Sequence, residues 1–322
     1  MSDTRTKEPD VQDHAQLGRM RRDVLDGLSR SPKQLPSKYL YDARGAELFE
    51  RICALPEYYL TRSETAILHA HAGDIADRVG PQALIIEPGS GNGEKTRLLL
   101  KHLHEPAGYV PIDISRQQLT EFAAELSADF PALEVLPVCA DFMGPFEIPT
   151  AGRSPVRRIV FFPGSTIGNM LPEASVDLLG RMRAVVGVGG AALIGVDLKK
   201  DPKILEPAYD DAAGVSAEFA LNYLDRLNSA LDADFERDQY DYEARYDEHA
   251  GRIEMYLVSR CDQVVRVADH PIHLRAEERI LTEYSYKYSA AEFAELAGRA
   301  GFSIEDVWTD KDALFSVQYL TA

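Results

Sequence analysis

The hydrophobic and polar positions of the chain follow a regular alternation between residues 83 and 200. Short apolar runs of strand length occur at ALIIEP, GYVPIDI, LEVLPVCAD, RRIVFFPG and AALIGVDL. Between several of them lie stretches with helical spacing of apolar residues, namely EKTRLLLKHL, SRQQLTEFAAELSADF and EASVDLLGRMRAVV. Apolar strands that alternate with amphipathic helices predict a parallel sheet with helices on both faces.

The pattern differs on either side of this region. Before it, three helical patterns cover about 17–30, 45–54 and 62–79, and residues 1–15 are polar and predicted to be disordered. After it, the segment 201–288 combines the helix-like AEFALNYLDRLNSALDADF with short alternating runs, which predict helices and an antiparallel sheet. The last two strand-like runs, SIEDVWTD and ALFSVQYLTA, are close enough to pair as an antiparallel hairpin.

We therefore predict two domains. A disordered N-terminus (1–15) precedes the first part of an α+β substrate domain (16–61) and an α/β core (62–200). The rest of the substrate domain is an insertion (201–288), and the core ends with residues 289–322.

A glycine loop, IIEPGSGNGEKTRLLL, follows the first core strand. It is not a P-loop, because Glu94 replaces the glycine that should precede the Lys-Thr pair. It is not a dinucleotide fingerprint, because the third glycine is missing whether counting starts at Gly89 or Gly91. What remains is an acid, Glu87, followed by glycines at every second position.

Seven core strands that end in a hairpin, with an acid and glycines after the first strand, resemble the class I methyltransferase fold. That resemblance implies S-adenosylmethionine as cofactor, a sulfonium cation without phosphate. Glycines let the backbone approach such a ligand closely, and ligands of these sheets bind beyond the carboxyl ends of the strands.

Side chains at the next strand ends fit this cofactor. Asp113 ends the second strand, where a carboxylate accepts from ribose hydroxyls, although a role in capping the next helix, which Ser115 could equally fill, is the alternative. Asp141 and Phe142 end the third strand and suit the adenine amino group and ring.

Two further segments carry candidate chemistry. FPGSTIGNM follows the fourth strand, so it is expected to face the reacting groups. The alternative is that it forms a plain turn. In ILTEYSYKY the tyrosines share one strand face and Glu283, Ser285 and Lys287 share the other, which is either solvated or lines a pocket. Tyrosines also cluster in loop-like segments, where they either pack or stabilise a cation; they are Tyr39, Tyr41, Tyr58, Tyr59 and Tyr209.

Composition narrows the class of partner. The net charge of −17 excludes a basic nucleic-acid footprint. Three cysteines without metal or redox spacing suit a reducing compartment and are predicted to be buried. The polar N-terminus and the lack of a long apolar run predict a cytoplasmic protein that does not interact with a membrane. The histidines give no metal-binding signature, so we predict no metal.

Taken together, these segments closely resemble the histidine Nα-methyltransferases of ergothioneine biosynthesis. The matching pieces span the chain and are LPSKYLYD, LPEYYLTR, GSGNGEKTR, FPGSTIGN, AYDDAAGV, RIEMYL and LTEYSYK. The resemblance implies trimethylation of the α-amine of L-histidine to hercynine, using three molecules of S-adenosylmethionine. We expect the protein to be a monomer.

The resemblance also assigns roles by position. Tyr58, Asn169 and Tyr209 would hold the amine and carboxylate end of histidine, and Glu283 and Ser285 would bind its imidazole. Met255 would lie beside that ring, and Tyr41 and Tyr58 are the catalytic candidates near the accepting nitrogen. The cofactor-binding positions are Gly89, Lys95, Asp113, Asp141, Phe142, Gly164 and Ser165.

Several alternatives stay open at this point. A relative acting on tryptophan or another amine would share every cofactor motif, although a buried Glu283 suits a ring with two nitrogens better than an indole. A dinucleotide oxidoreductase lacks its third glycine here. A non-catalytic cofactor sensor would keep the sheet without a substrate pocket.

Overall fold

The computed structural model describes residues 11–91, 93–144 and 146–322. Its helices are α1 (Val11–Ser29), α2 (Ala43–Cys53), α3 (Tyr59–Ala70), α4 (Ala72–Val79), α5 (Glu94–Leu100), α6 (Arg116–Asp129), α7 (Pro172–Val186), α8 (Pro202–Tyr209), α9 (Val215–Leu231) and α10 (Ala290–Arg299). Its strands are β1 (Lys33–Gln34), β2 (Ala83–Pro88), β3 (Gly108–Asp113), β4 (Val138–Cys139), β5 (Arg157–Phe162), β6 (Ala191–Asp197), β7 (Tyr240–Asp247), β8 (Arg252–Ser259), β9 (Gln263–Val267), β10 (His270–Leu274), β11 (Arg279–Tyr286), β12 (Ser303–Thr309) and β13 (Phe315–Thr321). Short 3₁₀ turns cover Ser37–Tyr39, Thr166–Asn169 and Arg237–Gln239.

The chain divides into two compact units. The four-stranded unit contains the residues up to Tyr58, Asp201–His249 and Ile253–Tyr284, and the seven-stranded unit contains Tyr59–Lys200, Ala250–Arg252 and Ser285–Ala322. The two units divide at 58/59 and 284/285, and the boundaries predicted from the sequence are at 61/62 and 288/289. Residues 1–10 of the predicted disordered stretch lie outside the described residues, and α1 begins at Val11.

The seven-stranded sheet has the order β12-β13-β6-β5-β2-β3-β4. Strands β6, β5, β2, β3 and β4 are parallel, and β13 is antiparallel to both β6 and β12. Every residue of β2 and β6 is buried, which explains why these strands are apolar rather than alternating. The first strand of the sheet, β2, lies between β3 and β5, so the strand order reverses there. Ligands of open α/β sheets bind at the carboxyl ends beside this reversal.

Most predicted core elements are confirmed, with two corrections. The hairpin of β12 and β13 is present. The helical pattern at 62–79 is two helices, α3 and α4, which are separated at His71. The run LEVLPVCAD forms only the two-residue strand β4 and a single bridge at Val135, because its side chains are mostly exposed or half-buried. The cysteines are half-buried or exposed, so their predicted burial is wrong.

The four-stranded unit combines a sheet of order β1-β11-β8-β7 with an antiparallel hairpin of β9 and β10. Helix α9 holds the N-terminal segment in place through polar contacts. The Asp42 carboxylate caps α2 by accepting from Gly45 N at 2.7 Å, and it also accepts from Asn222 Nδ2 at 2.9 Å. The Tyr223 hydroxyl donates to the Pro36 carbonyl at 2.7 Å. These bonds fix the segment that carries Tyr41.

Among the described residues, no helix is long and apolar enough to cross a membrane.

Candidate active site

The glycine loop after β2 adopts a backbone that favours glycine. Gly89 and Gly93 have φ of +73° and +69°. The Gly89 N–H donates to the Ile112 carbonyl at 2.7 Å, which ties the loop to β3. A Cβ on Gly89 would lie 3.7 Å from Phe142 Cε1, so the structure brings these two predicted cofactor residues together. A Cβ on Gly93 would lie 2.1 Å from the Phe122 ring, which excludes other residues there.

Glu87, the acid that precedes the glycines, supports the loop from inside the sheet. Its buried carboxylate accepts from Thr96 Oγ1 at 2.6 Å and from the Tyr109 hydroxyl at 2.7 Å. Burial raises the pKa of Glu87 to about 8, although both hydrogen bonds and the charge of Lys95 oppose that rise. Glu87 thereby connects β2 to α5 and β3.

Lys95 and Gly164 both contact Glu64, a residue that the sequence pattern did not identify. Glu64, on α3, is 1% exposed, accepts from Gly164 N at 2.8 Å and forms an ion pair with Lys95 Nζ. Gly195 makes room for it, because a Cβ there would lie 2.1 Å from Glu64 Oε1. Helical spacing gives no signal for Glu64. A glycine inside the apolar run AALIGVDL was the available clue to a close approach.

The other predicted cofactor residues lie at the carboxyl ends of the strands. Asp113 is half-buried, and its Oδ1 accepts at 2.8 Å from the backbone N–H of Ser115, the residue that precedes α6. Burial raises the pKa of Asp113, against the lowering effect of backbone hydrogen bonds. Asp141 is exposed in a turn two residues after β4, where its Oδ1 accepts from Met143 N at 2.9 Å. Ser165 is buried with φ of +57°, and its Oγ accepts from Asp197 N at 2.9 Å.

An aromatic cluster in the four-stranded unit contains the catalytic candidates Tyr41 and Tyr58 and the predicted substrate residue Tyr209. The Tyr41 ring packs edge-on against Phe49 and Phe219, with centroids 5.4 Å apart in both pairs. The Tyr58 ring packs edge-on against Phe49 at 6.2 Å and against Tyr209 at 6.0 Å. Sequence reasoning missed Phe49 and Phe219, because helical spacing places them on α2 and α9 as ordinary core residues.

Glu283 belongs to the same cluster. Burial raises the pKa of the Tyr41 and Tyr58 phenols well above 10, and the charge of Glu283 adds to the rise in both. Both phenols are therefore protonated at neutral pH. Tyr41 exposes 36% of its surface. Glu283 itself is 8% exposed, so the solvated alternative for its strand face is wrong.

Two further residues complete this part of the site. Tyr242 on β7, also missed, donates its hydroxyl to the Tyr209 carbonyl at 2.7 Å and so positions the end of α8. Burial raises the pKa of Tyr242, with smaller contributions from acidic neighbours that include Glu283. Met255 on β8 is buried, and its carbonyl accepts from Thr282 Oγ1 at 3.0 Å. Thr282 immediately precedes Glu283 in the sequence.

Asn169 and Ser285, the remaining predicted substrate residues, belong to the seven-stranded unit. The 3₁₀ turn that ends at Asn169 packs against the β11 backbone, because a Cβ on Gly168 would lie 2.6 Å from the Tyr286 carbonyl oxygen. Ser285 is 4% exposed, and its Oγ accepts from Lys287 Nζ at 2.7 Å. No cluster of three or more His, Cys, Asp or Glu suited to a metal occurs within the described ranges.

The strand order, the single antiparallel strand β13 and the acid-glycine loop at the order reversal define a class I S-adenosylmethionine-dependent methyltransferase. The family of histidine-specific, S-adenosylmethionine-dependent methyltransferases matches residues 20–322, and this chain belongs to that family.

Individual proteins are also similar to this chain. Histidine N-alpha-methyltransferase of Mycolicibacterium smegmatis is 40% identical over 299 residues, which cover 90% of this chain and 91% of that protein. Ergothioneine biosynthesis protein 1 of Neurospora crassa is 34% identical over 290 residues, covering 86% of this chain and 32% of that protein. The solved CcbJ methyltransferase of Streptomyces caelestis aligns with a TM-score of 0.45 at 15% identity, over 80% of this chain and 95% of that one.

Proposed function

We propose that this chain methylates the α-amino nitrogen of L-histidine three times to form hercynine, the first step of ergothioneine biosynthesis. The observation that carries the proposal is the buried Glu283 carboxylate, coupled electrostatically to the phenols of Tyr41 and Tyr58. A buried acid among aromatic rings suits a substrate that has both a ring N–H and an amine. The similarity to two kinds of relative, named for histidine Nα-methylation and for ergothioneine biosynthesis, supports the same substrate.

The residues around the glycine loop fit the cofactor. Gly89 leaves a gap beside Phe142 that a Cβ would fill, and Gly164 does the same beside Lys95, where a Cβ would lie 3.9 Å from Nζ. S-adenosylmethionine, when bound, supplies an electrophilic methyl group on a sulfonium. The residues proposed to hold it are Gly89, Lys95, Asp113, Asp141, Phe142, Gly164 and Ser165.

The substrate residues position the nitrogen that accepts the methyl group. Tyr58, Asn169 and Tyr209 hold the amine and carboxylate end, Glu283 and Ser285 bind the imidazole, and Met255 lies beside the ring. Displacement at carbon depends mainly on alignment, with the reacting atoms about 3–3.5 Å apart. Holding both ends of histidine restricts the amine to that approach.

Tyr41 and Tyr58 orient the amine rather than deprotonate it. Their raised pKa values keep both phenols neutral at physiological pH, and a neutral phenol is a poor base. The hydroxyls instead direct the nitrogen lone pair, and each ring face stabilises the growing quaternary charge by about 0.5–2 kcal/mol. Solvent takes the protons that the amine releases.

Mass spectrometry tests the proposal. Purified protein incubated with histidine and S-adenosylmethionine should yield a product with three added methyl groups, whereas tryptophan and other amino acids should yield none. Failure to methylate histidine while another amine is methylated would assign the chain to a different substrate.

Glu283→Ala tests the imidazole contact. Loss of this acceptor should lower kcat/KM for histidine by about 5- to 150-fold, equivalent to roughly 1–3 kcal/mol, because a ring N–H is left without its partner. Affinity for S-adenosylhomocysteine, measured by calorimetry, should stay near the wild-type value. Equal turnover of histidine by the variant would reject the assignment of Glu283.

A further inference from the structure

A buried lysine contacts Ser285, one of the two residues proposed to bind the imidazole of histidine. The Lys287 side chain is completely buried, and its Nζ donates to Ser285 Oγ at 2.7 Å. The same ammonium lies 2.6 Å from Oδ2 of Asp197, whose side chain is also completely buried. Burial of an ion pair at this depth carries a large desolvation cost, so it is weak evidence for stability and invites a functional explanation.

The backbone fixes the position of this lysine from both sides. The Tyr288 N–H donates to the Asp197 carbonyl at 3.1 Å, and the Lys199 N–H donates to the Tyr288 carbonyl at 3.1 Å. The Lys287 N–H donates to the Gly251 carbonyl at 2.8 Å. The segment after β11 thus continues alongside the end of β6, and the Lys287 side chain has little freedom to leave Ser285.

Asp197 does not depend on Lys287 alone. Its Oδ1 lies 2.6 Å from Lys200 Nζ, and the Tyr59 hydroxyl lies 3.0 and 2.9 Å from its two oxygens. Lys200 and Lys287 therefore share one carboxylate. Lys200 also donates to the Leu198 carbonyl and to the Tyr59 hydroxyl. Of the two lysines, Lys287 is the one that donates to Ser285.

The contact determines which hydrogen-bonding role suits Ser285. A serine hydroxyl can donate once and accept twice, whereas an ammonium can only donate. Ser285 Oγ is therefore the acceptor in its bond with Lys287, and the adjacent positive charge polarises its O–H as a donor and disfavours acceptance from a second N–H.

Resting on the proposed function, we propose that Lys287 is a specificity-determining positioning residue that makes Ser285 a hydrogen-bond donor to the unprotonated ring nitrogen of histidine. Glu283, two positions earlier on the same strand, accepts from the ring N–H. One donor and one acceptor match the neutral imidazole, which has one nitrogen of each kind. They do not match indole, which lacks the acceptor nitrogen, or imidazolium, which carries two N–H groups.

Lys287→Met and Lys200→Met form a matched pair for the test. Each removes one ammonium from Asp197 and leaves the other, but only the first removes the bond to Ser285. The substrates are histidine and its two pyrrolyl analogues, pyrrol-2-ylalanine and pyrrol-3-ylalanine. In each analogue CH replaces one ring nitrogen, so that an N–H remains but the acceptor nitrogen is absent.

The wild type should prefer histidine over the better analogue, and Lys287→Met should reduce that preference about tenfold, equivalent to one hydrogen bond of about 1.4 kcal/mol. The loss should appear mainly in KM for histidine, with the kinetics of the analogue unchanged. Lys200→Met should keep the wild-type preference. In the double variant Lys287→Met with Ser285→Ala, preference should equal that of Ser285→Ala alone, because Lys287 acts through Ser285.

Equal losses on histidine and the analogue in Lys287→Met, or an equal fall in preference in Lys200→Met, would overturn the inference and leave histidine methylation itself intact. A wild type that fails to methylate histidine would overturn the proposed function together with the inference. If Lys287→Met does not fold, Asp197→Asn with Lys287→Met removes both charges and gives the same readout against Asp197→Asn alone.

Discussion

Removal of the Glu64 carboxylate should destabilise the seven-stranded unit far more than removal of a surface carboxylate. Glu64 is 1% exposed, accepts from Gly164 N at 2.8 and 3.0 Å, and pairs with Lys95, whose side chain is 18% exposed. Glu64→Ala leaves the ammonium and the backbone N–H without this acceptor and opens a void beside Gly195.

The magnitude follows from these contacts. Loss of one partner of a buried ion pair costs roughly 3–5 kcal/mol, because the remaining charge is left uncompensated. The orphaned Gly164 N–H contributes roughly 1–3 kcal/mol within that sum. Glu64→Gln should cost less than Glu64→Ala, since the amide oxygen can still accept from Gly164.

Urea unfolding followed by fluorescence is the direct assay. The chain has one tryptophan, Trp308, which is 9% exposed in the same unit as Glu64. The matched control is Glu173→Ala, which removes the exposed partner of Arg299; these side chains are 79% and 43% exposed. Exposed pairs are screened by water, so the control should shift the midpoint little.

Calorimetry adds a functional readout to the stability measurement. Under the proposed function, Glu64→Ala should also weaken binding of S-adenosylhomocysteine, because Lys95 and Gly164 lose their common partner. Equal unfolding midpoints for Glu64→Ala and Glu173→Ala would refute the view that the buried carboxylate organises this part of the structure.

Two other predictions concern the same unit and use the same unfolding assay. Gly195→Ala should lower the free energy of unfolding by roughly 1–3 kcal/mol, because the new Cβ would lie 2.1 Å from Glu64 Oε1. The control is Gly180→Ala on α7, where a Cβ meets nothing within 4 Å; it should be neutral or stabilise by up to about 1 kcal/mol. Similar unfolding midpoints for the two variants would contradict this prediction. Because folding raises the pKa of Glu87 from 4.5 to about 8, its contribution to stability is fully present below pH 4.5 and is lost as pH rises to 8. Glu87→Gln should remove this slope of about 1.4 kcal/mol per pH unit between pH 5 and 8, and an unchanged slope would count against the raised pKa.

The pattern of hydrophobic and polar residues predicted most of the core. The length and spacing of the apolar runs identified the parallel strands and the terminal hairpin. A strand that is covered on both faces is apolar along its length, as β2 and β6 are. The same reasoning overestimated the strand before Asp141, because an apolar composition does not guarantee a pairing partner. Helix boundaries moved by several residues, as at α1 and at the division between α3 and α4.

The residues found only in the structure share one property. Glu64, Phe49, Phe219 and Tyr242 occupy positions on helices or strands where their residue types are ordinary, so nothing in the local pattern singles them out. Each contacts a predicted site residue. For Glu64, Phe219 and Tyr242 that residue is distant in sequence, such as Gly164 for Glu64, whereas Phe49 lies only eight residues from Tyr41.

The sequence by itself determined the class of fold, the location of the acid-glycine loop and the segments that resemble histidine methyltransferases, because these depend on local spacing and residue type. Only the tertiary structure decided that Lys95 pairs with Glu64, that Glu283 is coupled to two neutral phenols, and that a buried ammonium lies behind Ser285. Those properties depend on burial and on charges brought together from distant parts of the chain. Neither of these follows from the order of residues until the backbone has folded.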